Sequence, residues 1–278
     1  NNTVLRKGPK AVLNGSAFVS TYAEGKKHCR GAIGNRQKDT EDPDMQRLEK
    51  LYEGKAKVLY STDNPDVLVQ YFKDEATAFD GKKKGIIPEK GILNNKISSR
   101  IFKYLEEKGV KTHFVEMLSD REMAVKKLRI IPIEVVVRNV CAGSLSKRMG
   151  VDEGMPLKET IVELYYKSDA LGDPMINEYH IRAFGLAERS ELAEIEEQAL
   201  RINKIISEFF DERGIMLIDF KLEFGVHKGE VLLGDEITPD GCRLWDKSTH
   251  EKMDKDRFRR DLGKVEDAYQ EVLRKVME

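Results

Sequence analysis

Cysteine is scarce in this chain. Cys29, Cys141 and Cys242 stand far apart among 278 residues, with neither a CxxC metal pattern nor a disulfide framework, which fits a reducing compartment. Long apolar runs are also missing. No stretch approaches the roughly 20 residues that span a bilayer, and no charged segment leads into the apolar core of a secretory signal. The expected address is cytoplasmic, with no membrane partner. Nor does one sign of charge prevail: 48 Lys and Arg face 49 Asp and Glu. Without a global field to hold nucleic acid, any charge-based function must be local. The five histidines lack metal-ligand spacing. There is no GxSxG or Cys/His pattern for an acyl-enzyme, and no GxxxxGK[ST] phosphate loop.

What is present is patterned sequence, 40% of it hydrophobic, enough to bury a sizeable core. Residues 1–44 stand apart, rich in Gly, Asn and Ser, with Glu24 the sole acid before Asp39. They read as a poorly ordered extension whose basic character suits a transit peptide or a leader, with Met45 as a natural start. From Leu48 to about Val137 the pattern is mostly strands, interrupted by a helix over roughly Asn94–Lys108 with Gly109 at its end. DGKKKG reads as a mobile solvated loop. Beyond Arg138 come a short helix from Ser144, a strand near IVELYYK, a long helix striped by Leu192, Ile195, Ala199, Ile202 and Phe209, a hairpin, and a terminal helix from about Asp254. The expected class is α+β in two lobes, antiparallel sheets with flanking helices, dividing into residues 45–130 and 131–278.

Three motifs carry chemistry. In LIDFKLEFG, alternation sets Asp219, Lys221 and Glu223 on one strand face, with Ile218, Phe220, Leu222 and Phe224 on the other. A solvated outer face is the ordinary explanation of such a pattern. The following hairpin changes the balance. A three-residue loop over Lys228–Glu230 places Asp235 opposite Glu223, whereas a two-residue loop turns Asp235 toward the core beside Leu222. The first register is favoured, and it makes two carboxylates converge. Such a pair is stable when a cation lies between them, and Mg²⁺ completed by water and nucleotide phosphates suits the oxygen donors. Lys221 is then placed to hold an anionic substrate.

LYEGKAKVLY turns at Gly54 with Lys55 and Lys57 on one side, a pattern open to a triphosphate although lysines beside a turn are usually solvated surface. IIPIEVVVRNVCAGS ends a buried-looking strand at Arg138, then offers Gly143 and Ser144 at a helix start. Arg138 can grip a phosphate with two bonds, while Ser144 also reads as a plain N-cap. Glu134, among β-branched residues, needs a partner such as a ribose hydroxyl or a lysine.

With EGKAK, IPIEVVVRNVCAGS, LIDFKLEFG and DEITPDGCRLWD, residues 45–278 closely resemble the phosphoribosylaminoimidazole-succinocarboxamide synthase (SAICAR synthetase) family. The resemblance implies ATP-driven joining of L-aspartate to the carboxylate of carboxyaminoimidazole ribonucleotide (CAIR), giving SAICAR, ADP and phosphate. It implies a fold related to protein kinases and ATP-grasp enzymes, with nucleotide between the lobes, and a homodimer. By the same likeness Lys55 and Lys57 contact ATP phosphates and Glu134 lies by the adenine and ribose. Glu223 and Asp235 bind Mg²⁺; Arg138, Ser144 and Arg243 hold the CAIR phosphate; and the catalytic pair Asp219 and Lys221 lies beside the imidazole and its carboxylate. A small-molecule kinase and a nucleotide-sensing module are the competing uses of such a cleft.

Overall fold

Period-2 alternation marks the strands, and the direction of each apolar face decides the layers. A computed structural model describes residues 46–78 and 81–278; the extension expected over residues 1–44, with a start at Met45, lies outside the described residues. Among the described residues, the first antiparallel sheet has the order β1 (Lys50–Glu53), β2 (Lys57–Ser61), β3 (Val67–Phe72), β7 (Glu122–Lys126), β6 (Phe114–Met117). A separate hairpin joins β4 (Glu75–Ala78) to β5 (Lys83–Ile86). The second sheet has the order β10 (Met175–Ile176), β9 (Pro156–Tyr166), β8 (Arg129–Val140), β11 (Ile215–His227), β12 (Glu230–Leu233). Strand β13 (Cys242–Asp246) also pairs with β11.

Helix α1 (Lys90–Glu107) begins before the expected Asn94 and buries Ile97, Ile101, Phe102 and Leu105. Gly109, at φ 77°, turns the chain away where a helix end needs a left-handed residue. Short helices α2 (Gly143–Met149) and α3 (Glu178–Phe184) follow, then α4 (Arg189–Asp211). The Asn177 side chain accepts from the Tyr179 and His180 amides, which starts α3. Buried Leu192, Ile195, Ala199, Ile202, Ile206 and Phe209 give α4 its apolar stripe at three- and four-residue spacing. One core runs from Phe72 and Met123 of the first sheet through α1 to Val135, Phe220 and Leu222 of the second.

Two expectations fail here. DGKKKG is not a loop throughout, because Lys83 and Lys84 lie in β5 and Lys83 Nζ donates to Phe258 O and Asp261 Oδ1, each at 2.6 Å. The terminal helix is broken into α5 (Asp256–Arg259) and α6 (Val265–Met277). Asp261, Gly263 and Lys264 adopt φ of 56°, 68° and 49°, which no right-handed helix can contain. Leu262, within that break, is 47% exposed.

The loop from β12 to β13 is tied to the helices through Asp240. Its Oδ2 accepts from Lys90 Nζ at 2.7 Å and Asn94 Nδ2 at 3.0 Å, and its Oδ1 from Tyr269 of α6 at 2.9 Å. The Lys90 side chain is only 1% exposed. Burial alone would raise the Asp240 carboxyl, but Lys90 and Lys255 hold it well below the usual carboxylate range. Asp240→Asn leaves that ammonium unpaired and should lower unfolding free energy at pH 7 by about 3 kcal/mol, measured in urea. Because the folded value is depressed, the ionised form stabilises above the unfolded carboxylate value of about 4 and its contribution fades below it. The gap between wild type and variant should therefore narrow on acidification.

Candidate active site

Strand β11 is central because it pairs with β8 along one edge and with β12 and β13 in turn along the other. Between those two partners the chain leaves the sheet, carrying Asp235 and Glu236 on a loop. Lys221 N still donates to Gly241 O at 3.0 Å and Gly234 N to Glu223 O at 2.8 Å, so both ends of that loop are fixed to β11. The β1–β2 turn with Lys55 and Lys57 faces this loop across a cleft of about 510 Å³. Leu59, Leu68 and Val125 of the first sheet and Leu128 and Ile130 near the start of β8 give the cleft its apolar part.

The expected hairpin register is wrong in detail. Phe224 pairs with Leu233 and His227 with Glu230, leaving a two-residue turn at Lys228 and Gly229. Both adopt positive φ, 50° and 88°, matching a tight hairpin turn. Continued regularly, this register would bury Asp235 beside Leu222. The ladder instead ends at Leu233, and Asp235 takes φ 60°, a left-handed conformation that Asp tolerates better than most residues. Its carboxylate thereby reaches the cleft, where it meets Lys57 and lies 3.1 Å from Lys221 Nζ.

Around Lys221 the charges interlock. Its Nζ bonds Glu223 and is 3.3 Å from Glu134 Oε1. Lys167, at the end of β9, donates to Glu223 Oε1 at 2.6 Å, and Lys57 bonds both Asp235 and Glu236. Glu134 stands opposite Glu223 across the β8–β11 ladder, so Lys221 separates two carboxylates that would otherwise repel. Four carboxylates thus face three ammonium groups. Burial disfavours charge on Glu223, yet Lys221 and Lys167 hold its carboxyl well below the usual range. For Lys221 the same carboxylates outweigh burial and raise its ammonium. Lys55 lies at the mouth, donating to Asp169 at 2.6 Å.

A second cluster lies along the same face of β11. Asp219 is opposite both Arg138 of β8 and Arg243 of β13. Arg138 Nη1 donates to Asp219 at 2.7 Å, Nε to Glu163 at 2.7 Å and Nη2 to Ser144 Oγ at 3.1 Å. Arg243 Nη1 donates to both Asp219 oxygens, at 3.0 and 2.9 Å, and Nε to Asp256 at 3.1 Å. The Arg243 guanidinium lies where a Cβ on Gly143 would project, and Gly143 also has φ 58°. The backbone conformation favours glycine there, and a larger residue would have to displace the guanidinium that meets Asp219.

All ten residues expected from the sequence fall around these two clusters and the cleft mouth, with Lys55 more remote from the β11 charges. Sequence reasoning missed Lys167, Glu236, Glu163 and Asp256. Glu236 was discoverable from its adjacency to Asp235 in DEITPDG; the others depend on strand pairing. Among the described residues, no three His, Cys, Asp or Glu side chains converge as a self-sufficient metal cage.

The SAICAR synthetase family model matches residues 50–276. The chain belongs to the SAICAR synthetase family. The phosphoribosylaminoimidazole-succinocarboxamide synthase of Caldanaerobacter subterraneus subsp. tengcongensis is 57% identical over 234 residues, covering 84% of this chain and 100% of that protein. The crystal structure of the Ehrlichia chaffeensis synthase superposes with TM-score 0.81 at 53% identity, covering 82% of this chain and 98% of the other. A SAICAR synthetase solved in complex with ADP gives TM-score 0.79 at 50% identity, covering 81% and 96%. The mixed α/β architecture of that family, with antiparallel sheets, therefore applies to this chain.

One cleft residue yields a pH test. His113 is 4% exposed, and burial, reinforced by Lys57, pushes its imidazole down to about 3. The folded protein keeps it neutral, while the unfolded chain takes up a proton near pH 6.5. Stability from this group is present above pH 6.5 and is lost as pH falls. Between pH 6.5 and 5, wild type should lose about 2 kcal/mol more than His113→Gln, read from urea midpoints across pH.

Proposed function

We propose that the cleft performs the family reaction, the ATP-dependent ligation of L-aspartate to the carboxylate of CAIR, giving SAICAR, ADP and phosphate in purine biosynthesis. The observation that carries this reading is one strand face, β11, joining an arginine cluster at Asp219 to a lysine and carboxylate cluster at Glu223. Successive residues on that face are about 6.6–6.8 Å apart, so the two ends are separated by about 13 Å. A substrate held by its phosphate at the arginine end has its far end brought to Lys221. We take residues 45–130 as the nucleotide-binding lobe and residues 131–278 as the substrate- and metal-binding lobe. The break between β7, ending at Lys126, and β8, starting at Arg129, lies just before that boundary.

Lys55 and Lys57 bind the ATP phosphates, and Glu134 accepts from the ribose. Glu223 and Asp235 supply hard carboxylate oxygens that fit Mg²⁺, an ion that takes one or two carboxylates together with water and substrate phosphates. When bound, Mg²⁺ supplies neutralisation of charge on the transferred phosphoryl group. Arg243, Ser144 and the Nη2 of Arg138 hold the CAIR phosphate, while Asp219 fixes both guanidinium groups in place. Lys221 exchanges Glu223 for the CAIR carboxylate and orients it.

A carboxylate is a poor acyl donor because its leaving group would be oxide. Its oxygen therefore attacks the γ-phosphorus of ATP, the bond from that phosphorus to the ADP oxygen breaks, and an acyl phosphate forms. The aspartate amine, having lost a proton, attacks the acyl carbon and expels phosphate; loss of a further proton leaves the amide. The family resemblance also supports a homodimer acting in the cytoplasm, with small molecules rather than nucleic acid or membrane as partners.

Glu223→Gln and Asp235→Asn should each reduce Mg²⁺-ATP-dependent kcat/KM by at least about tenfold, roughly 1.4 kcal/mol, with the fold retained by circular dichroism. Near-normal turnover in either variant would sink the metal assignment. A coupled ADP assay with each substrate omitted in turn should require both CAIR and aspartate. Full-rate ADP release with CAIR alone would favour a kinase. Arg138→Lys should chiefly raise the KM for CAIR, through loss of the forked donor; an unaltered CAIR dependence removes Arg138 from phosphate binding.

A further inference from the structure

We propose that Asp254 is a positioning residue for CAIR binding: its carboxylate pins both halves of the ion pair of Arg243 and Asp256, so that Arg243 meets the CAIR phosphate from a fixed place. The inference rests on the phosphate role proposed above for Arg243. Asp254 is 0% exposed. Its Oδ2 accepts from the Leu244 amide at 2.9 Å and its Oδ1 from the Asp256 amide at 2.7 Å. Leu244 follows Arg243 in β13, while Asp256 opens α5 and accepts from Arg243 Nε. One side chain therefore ties together the backbone on both sides of a single charge pair.

Arg243 needs a hold of this kind. Leu244 pairs with Leu217 of β11 and Arg243 with Asp219, so Ile218 is an extra residue in the ladder between them. Such a bulge interrupts the regular pairing and leaves this part of β13 to be fixed from its other edge. There Trp245 bridges to Lys252, and Met253 N donates to Leu244 O at 2.7 Å. The next bond along that edge is made by the Asp254 side chain rather than by backbone. It closes the gap between β13 and the start of α5, the two elements that supply Arg243 and Asp256.

The ionised group is an odd choice for a purely structural pin. Among the described residues its carboxylate meets two amides and forms no ion pair. Facing it are Asp256 of α5, Arg243 and Cys242 of β13 and Tyr269 of α6. Burial, reinforced by Asp256, pushes the Asp254 carboxyl up to about 7, against the opposing pull of the two amides and of Arg243. With the unfolded value at about 4, this carboxyl favours the folded state at low pH and loses that contribution as pH rises through 7. Above neutrality the charge thus costs stability, yet only the carboxylate offers an acceptor to each amide at once.

Asp254→Asn keeps the shape and one acceptor but turns a donor toward the second amide, which releases one end of the pin. At pH 8.5 it should raise the KM for CAIR about tenfold, with kcat and the KM values for ATP and aspartate within about twofold of wild type, in a coupled ADP assay. Its melting temperature at that pH should be level with wild type or higher, because a buried charge has been removed. The ratio of the two CAIR KM values should narrow to about twofold at pH 6, where wild type itself carries the proton. A ratio that does not change with pH, or a rise shared by ATP and aspartate, would assign Asp254 to general structure and overturn the proposal. A variant that melts lower at pH 8.5, or fails to fold, overturns it too. Arg243→Lys is the control. An unaltered CAIR KM in that variant would defeat the phosphate reading and this inference with it, whereas a raised KM there beside a normal one in Asp254→Asn would defeat this inference alone.

Discussion

Asp219, Lys221 and Glu223 occupy one face of the central strand, where Asp219 and Glu223 are nearly out of water. Breaking a buried ion pair by removing one partner typically costs about 3–5 kcal/mol. Each of these charges therefore requires a counter-charge from a neighbouring element. Arg138 and Glu134 come from β8, Arg243 from β13, Lys167 from the end of β9 and Lys57 from β2. The elements around β11 are thus selected by charge as well as by apolar packing.

The loop after β12 shows how that demand shapes backbone. A regular strand would carry Asp235 into the core beside Leu222, so the ladder stops and the backbone turns left-handed. The departure is stabilised at three places: the Gly234 amide, the Gly241 carbonyl and the Asp240 carboxylate beneath α1 and α6. Asp235 is consequently presented from a fixed position. Catalytic groups act best when held in this way, because little reorganisation is left to the reaction itself.

Much of this was legible in local sequence. Period-2 alternation placed Asp219, Lys221 and Glu223 on one face, and the apolar stripe of α4 appeared at its true spacing. The hairpin was legible but its register was not, because Lys228 adopts a positive φ that a lysine seldom takes. Asp235 reached the cleft by a kink rather than by the pairing expected of it. The stop between α5 and α6 was hidden for a similar reason, since Asp261 and Lys264 flank Gly263 in left-handed conformations. The bond from Arg138 to Asp219 spans 81 positions, and no local pattern encodes which strands become neighbours. The pattern around Gly54 left Lys55 and Lys57 open to a triphosphate without deciding it, and the role for Arg243 came from the family motifs alone.

The interlocked lysines and carboxylates also affect how the cleft is filled. Within the protein, Lys57 is satisfied by Asp235 and Glu236, and Glu223 by Lys221 and Lys167. The cleft then behaves as an ion exchanger already in its internal salt form. An arriving polyanion must release a carboxylate from a lysine, and an arriving cation must release a lysine from a carboxylate. Either swap alone strands a charge, whereas the two together conserve every pairing. A cation and a polyanion taken up together would therefore leave every charge in the cleft paired.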